Sequence, residues 1–279
     1  MTNPDIRSVG LIGLGKMGLP MGRLLVQRGF AVTCFDVALP ALKAATAAGM
    51  SPVNSPKAVA AASELVIVVV GFDFEVEAVL FEDNGVLAGT GDGTIVAVAS
   101  TIAPQTMLRI EKRLPASPKI SLLDIPLCRG EGPAQEGELL IMGGGDKAAF
   151  ETCKPAFSAF ANSIYHLGPV GAGQVGKMVN NLILWACISA NDEGFKLAEK
   201  LGVGREALRA ALLDSSAGNW SLATRPEEKP MPWAEKDMSI VLKEADAARL
   251  SLPLCGVVKE TIKTVKHERN WPTPKAPGD

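Results

Sequence analysis

The sequence predicts an α/β protein in two parts: an N-terminal doubly wound parallel sheet, then an all-helical C-terminal domain entered through one long helix. Three observations carry this reading. Short β-rich runs alternate with Ala-rich stretches through residue 168. The alternation stops at Gly168-Pro169. From there to Lys266 the pattern is helical, without a convincing strand. Alternating strand and helix argues for a parallel sheet covered on both faces. The expected boundaries are therefore 1–168 for the nucleotide-binding type of domain, 169–270 for the helical domain, and 271–279 for a loose, proline-rich tail.

The elements follow in order. Residues 9–12, 31–35, 65–70, 95–99 and 121–124 are apolar runs of strand length, and 139–143 reads as the last strand. Residues 17–28 and 41–48 suit the first helices. The long helix is predicted over 175–201, with further helices over 205–213, 238–248 and 253–267. The run at 9–12 is short and broken by glycine, so it reads as a buried strand and not a signal peptide, and no later run is long enough to span a bilayer.

Composition narrows the function. Of 279 residues, 47% are hydrophobic and 21% charged, with a formal net charge of -2. That is enough apolar material for a buried core, and it offers no basic block for nucleic acid or an anionic membrane. Cys34, Cys128, Cys153, Cys187 and Cys255 are scattered without a C-x-x-C pair. They fit a reduced, cytoplasmic protein better than a disulfide framework. His166 and His267 have no partner at metal spacing, so no metal is expected.

The sharpest motif is Gly13-Leu14-Gly15-Lys16-Met17-Gly18, a G-x-G-x-x-G between a strand and a helix. Gly13 permits the tight turn, Gly15 admits a pyrophosphate close to the backbone, and Gly18 lets helix and strand pack. The competing reading is a plain strand-to-helix turn. Asp36 ends the second apolar run, where a carboxylate can accept from both ribose hydroxyls of NAD and repel a 2′-phosphate; no arginine follows to receive one. The expected cofactor is NAD. Further on, Gly171-x-Gly173-x-x-x-Lys177-x-x-x-Asn181 opens the helical part. Lys177 and Asn181 are four apart and share a helix face. A lysine beside Asn180 and Asn181 in an apolar helix is costly unless solvated or paired.

At these residues the chain resembles the β-hydroxyacid dehydrogenases, the group that includes 3-hydroxyisobutyrate dehydrogenase, tartronate semialdehyde reductase and 6-phosphogluconate dehydrogenase. The resemblance covers nearly the whole chain, to about Lys266. Gly13 to Met21 resembles the family's G-x-G-x-M-G-x-x-M opening, Ser100-Thr101-Ile102-Ala103-Pro104 its S-T-x-x-P loop, and Asp124-Ile125-Pro126-Leu127 its substrate segment. The Lys177 motif resembles its catalytic signature, and Lys236-Asp237 a late K-D pair. The resemblance implies a Rossmann domain followed by a helical one, and a hydride moved between NAD(H) and a small 3-hydroxy acid or its semialdehyde. It implies Lys177 as general acid/base and Asn181 as the substrate's hydrogen-bond partner. Cofactor contacts fall to Gly13, Leu14, Gly15, Lys16, Met17, Gly18, Asp36, Thr101 and Lys236. Substrate contacts fall to Cys128, Arg129, Gly130, Asn180 and Lys177. It also implies a homodimer or homotetramer through the helical domain, to which the apolar residues 182–188 are suited.

One segment departs from the family, whose substrate loop usually reads D-x-P-V-S-G-G. Here Cys128 replaces the serine and Arg129 the first glycine. A guanidinium can grip an anion with two hydrogen bonds, so the expectation is that Arg129 holds the substrate's anionic end. The competing reading is a loop brace paired with Glu131 or another acid. The alternative functions are a sulfolactaldehyde-like reductase, an imine-reductase-like enzyme and a non-catalytic NAD(H)-binding protein.

Overall fold

The computed structural model describes residues 6–225, 227 and 229–274, and divides the chain into two compact units, Met1–Lys177 and Met178–Asp279. The first unit runs β1 (Ser8–Ile12), α1 (Gly18–Gln27), β2 (Ala31–Phe35), α2 (Leu39–Ala47), β3 (Ser51–Pro52), α3 (Pro56–Ala61), β4 (Leu65–Val68) and α4 (Asp73–Phe81). A single 3-10 turn, Val86–Ala88, precedes β5 (Ile95–Val98) and α5 (Pro104–Arg113). Then come β6 (Ser121–Asp124), β7 (Leu127–Cys128), α6 (Glu131–Glu136), β8 (Leu139–Gly145), α7 (Lys147–Phe157) and β9 (Ala161–Gly168). α8 (Ala172–Lys200) has its first turns in this unit. The second unit holds the rest of α8, then α9 (Arg205–Leu213), α10 (Trp220–Thr224), α11 (Ala234–Ala247) and α12 (Pro253–Glu268).

Six strands form the parallel part of the sheet, in the order β3-β2-β1-β4-β5-β6. Side chains alternate between its faces with period two. Leu65 and Ile67 of β4, and Ile95 and Ala97 of β5, enter the core on one face. Val66, Val68, Val96 and Val98 enter the core on the other. Both faces are buried, so the strands are continuously apolar instead of alternating.

The far edge departs from expectation. β8 is antiparallel to both β6 and β7, and β9 pairs parallel with β8, so the sheet is mixed. The last strand is β9 and not the one predicted over 139–143. Its sequence, ANSIYHLG, leaves Tyr165 57% and Leu167 49% exposed. An edge strand with only one neighbour carries no clean apolar pattern, which is why its sequence does not announce it. β3 and β7, two residues each, owe their strand geometry to their neighbours. α10 was also missed; its start is set by Asn219, whose side chain accepts from Leu222 N at 2.9 Å.

Helix starts follow local chemistry. Pro56, Pro104 and Pro253 take first positions, where the missing N–H costs nothing. Ser55 caps α3 and Asp146 caps α7 through Ala58 N and Ala149 N, at 3.1 and 2.8 Å. Glu75 reaches back to Gly71 N and Phe72 N at the start of α4.

In the second unit, Trp185, Met238, Val241, Val258, Ile262 and Val265 are buried together. Leu182, Leu184, Ala186 and Ile188 of α8 pack against that same core. The apolar stretch at 182–188 thus serves mainly its own unit, although Ile183 stays 58% exposed. Residues 271–274, expected to open the loose tail, are held: Trp271 packs against the core and the Thr273 hydroxyl donates to Glu235. Residues 275–279 lie outside the described residues. Among the described residues no helix is long and apolar enough to cross a membrane.

Candidate active site

The first component lies at the carboxyl ends of β1 and β2, the edge of a doubly wound sheet where ligands bind. Gly13 has φ +92, and a side chain on it would run into the Val69 carbonyl. One on Gly18 would strike the Gly13 carbonyl, so the turn and the helix close on each other. Above Gly15, by contrast, a Cβ would meet nothing within 4 Å. The two outer glycines are required by packing, and the middle one faces open space suited to a pyrophosphate. No side chain caps α1 and its first turn carries no acid, so its N-terminal partial charge is not neutralised by the chain. Asp36 stands beside this loop. Its Oδ2 accepts from Leu14 N at 2.6 Å and its Oδ1 from Ala38 N at 2.8 Å. Each oxygen keeps acceptor capacity for a ribose hydroxyl. These residues fit an adenine dinucleotide.

The neighbouring residues divide by exposure. Leu14 is 2% exposed, so only its backbone belongs to the loop. Met17 packs against the core at the head of α1. Lys16 points outward and pairs with Glu131 at 3.0 Å.

The loop after β5 is clamped from two sides. Ile102 N donates to Gln174 Oε1 at 3.2 Å, and Gln174 Nε2 donates to Ser100 O at 2.8 Å. Ala103 N and the Thr106 hydroxyl donate to Asp73 Oδ2 at 3.0 and 2.7 Å. Thr101 sits between these anchors. Sequence reasoning gave no role to Gln174, which is 1% exposed. The signal was there: an amide between Gly173 and Val175, on a face that packing must bury.

Asp124 ends β6 and is fully buried. Its Oδ1 accepts from Gly171 N and its Oδ2 from Gln174 N, both at 2.8 Å. It is the acceptor for the start of α8, the anion that a helix N-terminus favours. Burial pushes its carboxyl above the usual carboxylate range, and the two N–H bonds pull the other way. A Cβ on Gly173 would sit 2.8 Å from both Asp124 O and Asp124 Oδ2, so the glycine is what lets helix and strand end approach. Asp124 thereby sets where α8 begins, and with it the height of Lys177.

Lys177 Nζ donates to Leu127 O at 2.6 Å and lies 3.9 Å from Cys128 Sγ. Cys128 is 4% exposed. The structure thus joins the lysine to the substrate segment. Arg129 is placed differently. Three of its five N–H donors meet protein acceptors: Nη1 donates to Glu138 O at 2.7 Å and Asn162 Oδ1 at 2.6 Å, and Nη2 to Ser163 Oγ at 3.0 Å. Those partners flank or lie on β8 and β9; Glu138 is nine residues on, while Asn162 and Ser163 are 33 and 34 away, a distance that hid them. Glu131, the expected bracing acid, pairs with Lys16 instead. Gly130 follows at φ +88, exposed.

In the second unit, Asn181 is 2% exposed and its Oδ1 accepts from Asn180 Nδ2 at 3.0 Å. Lys236 Nζ lies 5.4 Å over the Trp233 ring. Its neighbour Asp237 is buried and accepts from Trp185 Nε1 at 3.3 Å, a structural use of the late K-D pair. Among the described residues no group of three or more His, Cys, Asp or Glu side chains could hold a metal ion. Burial pushes the Cys34 thiol up to about 11, with Asp36 adding to it, and the Cys153 thiol up to about 12.

Comparison with known proteins places these features in context. Residues 8–168 match the NAD binding domain of 6-phosphogluconate dehydrogenase, and residues 171–271 match the NAD-binding domain of NADP-dependent 3-hydroxyisobutyrate dehydrogenase. An NAD-dependent L-serine dehydrogenase of Pseudomonas aeruginosa is 33% identical over 244 residues, 88% of this chain and 78% of that protein. The 3-hydroxyisobutyrate dehydrogenase of the same organism is 30% identical over 267 residues, 90% of this chain and 89% of that protein. Among solved structures, the Mycobacterium tuberculosis 3-hydroxyisobutyrate dehydrogenase with L-serine superposes with a TM-score of 0.85 at 26% identity, covering 96% of each chain.

Proposed function

The chain belongs to the β-hydroxyacid dehydrogenase family and is an NAD-dependent dehydrogenase acting on CH-OH donors; from that premise we propose that it oxidises a short 3-hydroxy acid, or reduces the matching semialdehyde, with Lys177 as general acid/base. The observation that carries this reading is the Lys177 ammonium anchored on Leu127 O beside Cys128. Serine and 3-hydroxyisobutyrate, named in the relatives' activities, are both short 3-hydroxy acids, which supports the substrate class.

NAD, when bound, would supply the hydride chemistry; the protein's own groups orient the partners and move the proton. The Gly13–Gly18 loop and Asp36 hold the dinucleotide. An ammonium has three N–H donors. Leu127 O takes one from Lys177, which aims the group and leaves it able to donate to a substrate oxygen. In the reductive direction Lys177 gives that oxygen its proton. In the oxidative direction the neutral amine takes the hydroxyl proton. Asn181, four residues on in α8, is assigned to the substrate's hydrogen bond. Cys128, Gly130 and Asn180 remain candidates for substrate contact. The cofactor-side roles of Thr101 and Lys236 are likewise assigned on resemblance.

Three of the five Arg129 N–H donors are taken by protein acceptors, which weakens the case for a sulfonated substrate held there. We also assign a homo-oligomer, supported by Val179 and Ile183, 49% and 58% exposed on α8; light scattering on the purified chain tests it. The decisive functional experiment is a panel of short 3-hydroxy acids and semialdehydes, including L-serine and 3-hydroxyisobutyrate, assayed with NAD(H) in both directions. Turnover of one or more members, abolished by Lys177→Met, is expected. No turnover across the panel, or full turnover by the variant, overturns the proposal.

A further inference from the structure

We propose that Arg129 is a positioning residue for Lys177: its guanidinium latches the turn after β7 onto the β8–β9 edge, and this fixes the carbonyl that holds the ammonium. The proposal rests on Lys177 being the acid/base.

The first observation is backbone conformation. Arg129 has φ +85 and Gly130 has φ +88. Glycine occupies that region freely, whereas a residue with a side chain is strained there. An arginine in such a position implies that its side chain contributes something a glycine cannot. The second observation is where that side chain goes. All three bonds of the guanidinium end on β8–β9, at Glu138 O, Asn162 Oδ1 and Ser163 Oγ. Ser163 Oγ also donates to Asn162 Oδ1 at 3.1 Å, so the two side-chain acceptors are fixed to each other. Three donors in a rigid plane, meeting three fixed acceptors, define one orientation.

The third observation links the latch to the lysine. β7 is two residues long and pairs only as Leu127↔Ile141 and Cys128↔Leu140. So short a strand cannot hold its own register. Arg129 is the next residue, and Leu127 O, two residues before it, is the acceptor of Lys177 Nζ. If the turn shifts, that carbonyl shifts, and the ammonium follows. Reacting groups displaced by a fraction of an ångström lose rate without losing affinity. Arg129 therefore acts on kcat, through Leu127, while making no contact with substrate.

The test compares Arg129→Gly, which relieves the backbone but removes the latch, with Asn162→Ala/Ser163→Ala, which removes the two side-chain acceptors, leaves Glu138 O and keeps the arginine. Arg129→Lys and Lys177→Met are run beside them. Steady-state constants for the best substrate of the panel are measured at saturating NAD, well below each melting temperature. We expect kcat to fall about tenfold in both the glycine variant and the double variant, with KM within about threefold of wild type. Arg129→Lys should lie between, since it keeps the charge but not the fork. Should Arg129→Gly fail to fold, the double variant still decides. A large rise in KM with kcat kept in Arg129→Gly, together with an unaffected double variant, would show that Arg129 grips the substrate, and the latch is overturned. A lowered melting temperature with both constants unchanged overturns it too, since the contacts then only stabilise the loop. Full activity of Lys177→Met would instead refute the acid/base assignment itself, which separates the two failures.

Discussion

At the scale of single residues, the proposed function assigns the chemistry to two side chains. Lys177 is held by one short bond to a carbonyl, an arrangement that orients an ammonium without neutralising it. Replacing it by methionine keeps most of the stem's packing and removes the proton. General acid/base groups contribute about 10²–10⁴-fold, so kcat of Lys177→Met should fall within that range, while NADH binding, followed by fluorescence titration, stays close to wild type. To Asp36 we assign the choice of cofactor. Its two oxygens are held by Leu14 N and Ala38 N, so the carboxylate is fixed at the end of β2, where its negative charge would repel a 2′-phosphate. The ratio of kcat/KM for NAD over NADP should favour NAD clearly, and Asp36→Asn should narrow it by removing the repulsion. A wild-type preference for NADP would contradict this placement.

At the scale of elements, the first turn of α8 connects the sheet to the lysine. The helix begins where Asp124 accepts Gly171 N and Gln174 N, and Gly173 makes that approach sterically possible. The glycine loop of β1–α1 combines closure and openness in another way: Gly13 and Gly18 are packed, and Gly15 is open. These contrasts predict opposite outcomes for the same substitution. Gly173→Ala should lower the melting temperature of the cofactor-free protein by several degrees and depress kcat, because its Cβ meets backbone and a buried carboxylate. Gly15→Ala should leave the melting temperature nearly unchanged and raise KM for NAD, because its Cβ enters only open space, which we assign to the dinucleotide. Calorimetry without cofactor and steady-state kinetics together check both. A destabilised Gly15→Ala, or a Gly173→Ala of wild-type stability, would contradict these contacts.

At the scale of the whole molecule, the two units are stabilised by different means. The first unit has a sheet with two buried faces, while the second relies on one apolar seam and a few charged contacts. Among these, Lys266 is 3% exposed and pairs with Glu235 at 2.9 Å, and also donates to Pro232 O. Burial alone would raise the Glu235 carboxyl, but Lys266, Thr273 and Lys263 together outweigh it and hold the group below the usual range. A carboxyl depressed in the folded state contributes stability that is present above its unfolded value, near 4.3, and is lost as pH falls through its folded value. Glu235→Gln should therefore destabilise the protein clearly at pH 7, where it leaves a buried ammonium without its counter-charge, and much less near pH 3. Melting curves across that interval check the sign; a penalty independent of pH would contradict it.

The sequence by itself determined the parts of this protein that depend on local pattern. The strands 31–35 and 121–124 were legible to the residue, because each is a short β-rich run of strand length bounded by loop residues. The glycine turn and the helix that carries Lys177 and Asn181 were legible because each is a constraint between near neighbours along the chain. What escaped was whatever depends on a distant partner. β9 is a strand because β8 lies beside it, and β8 runs antiparallel for reasons no window of residues contains. The Asp124 carboxylate became the cap of α8 across a separation of 47 residues. Arg129 looked like an anion clamp in sequence, since a guanidinium is equally suited to a carboxylate and to carbonyl and hydroxyl oxygens. Only the tertiary structure, by bringing Glu138, Asn162 and Ser163 within 3.0 Å of it, decided which acceptors it meets, because hydrogen bonds depend on distance in space and the chain's order does not report it.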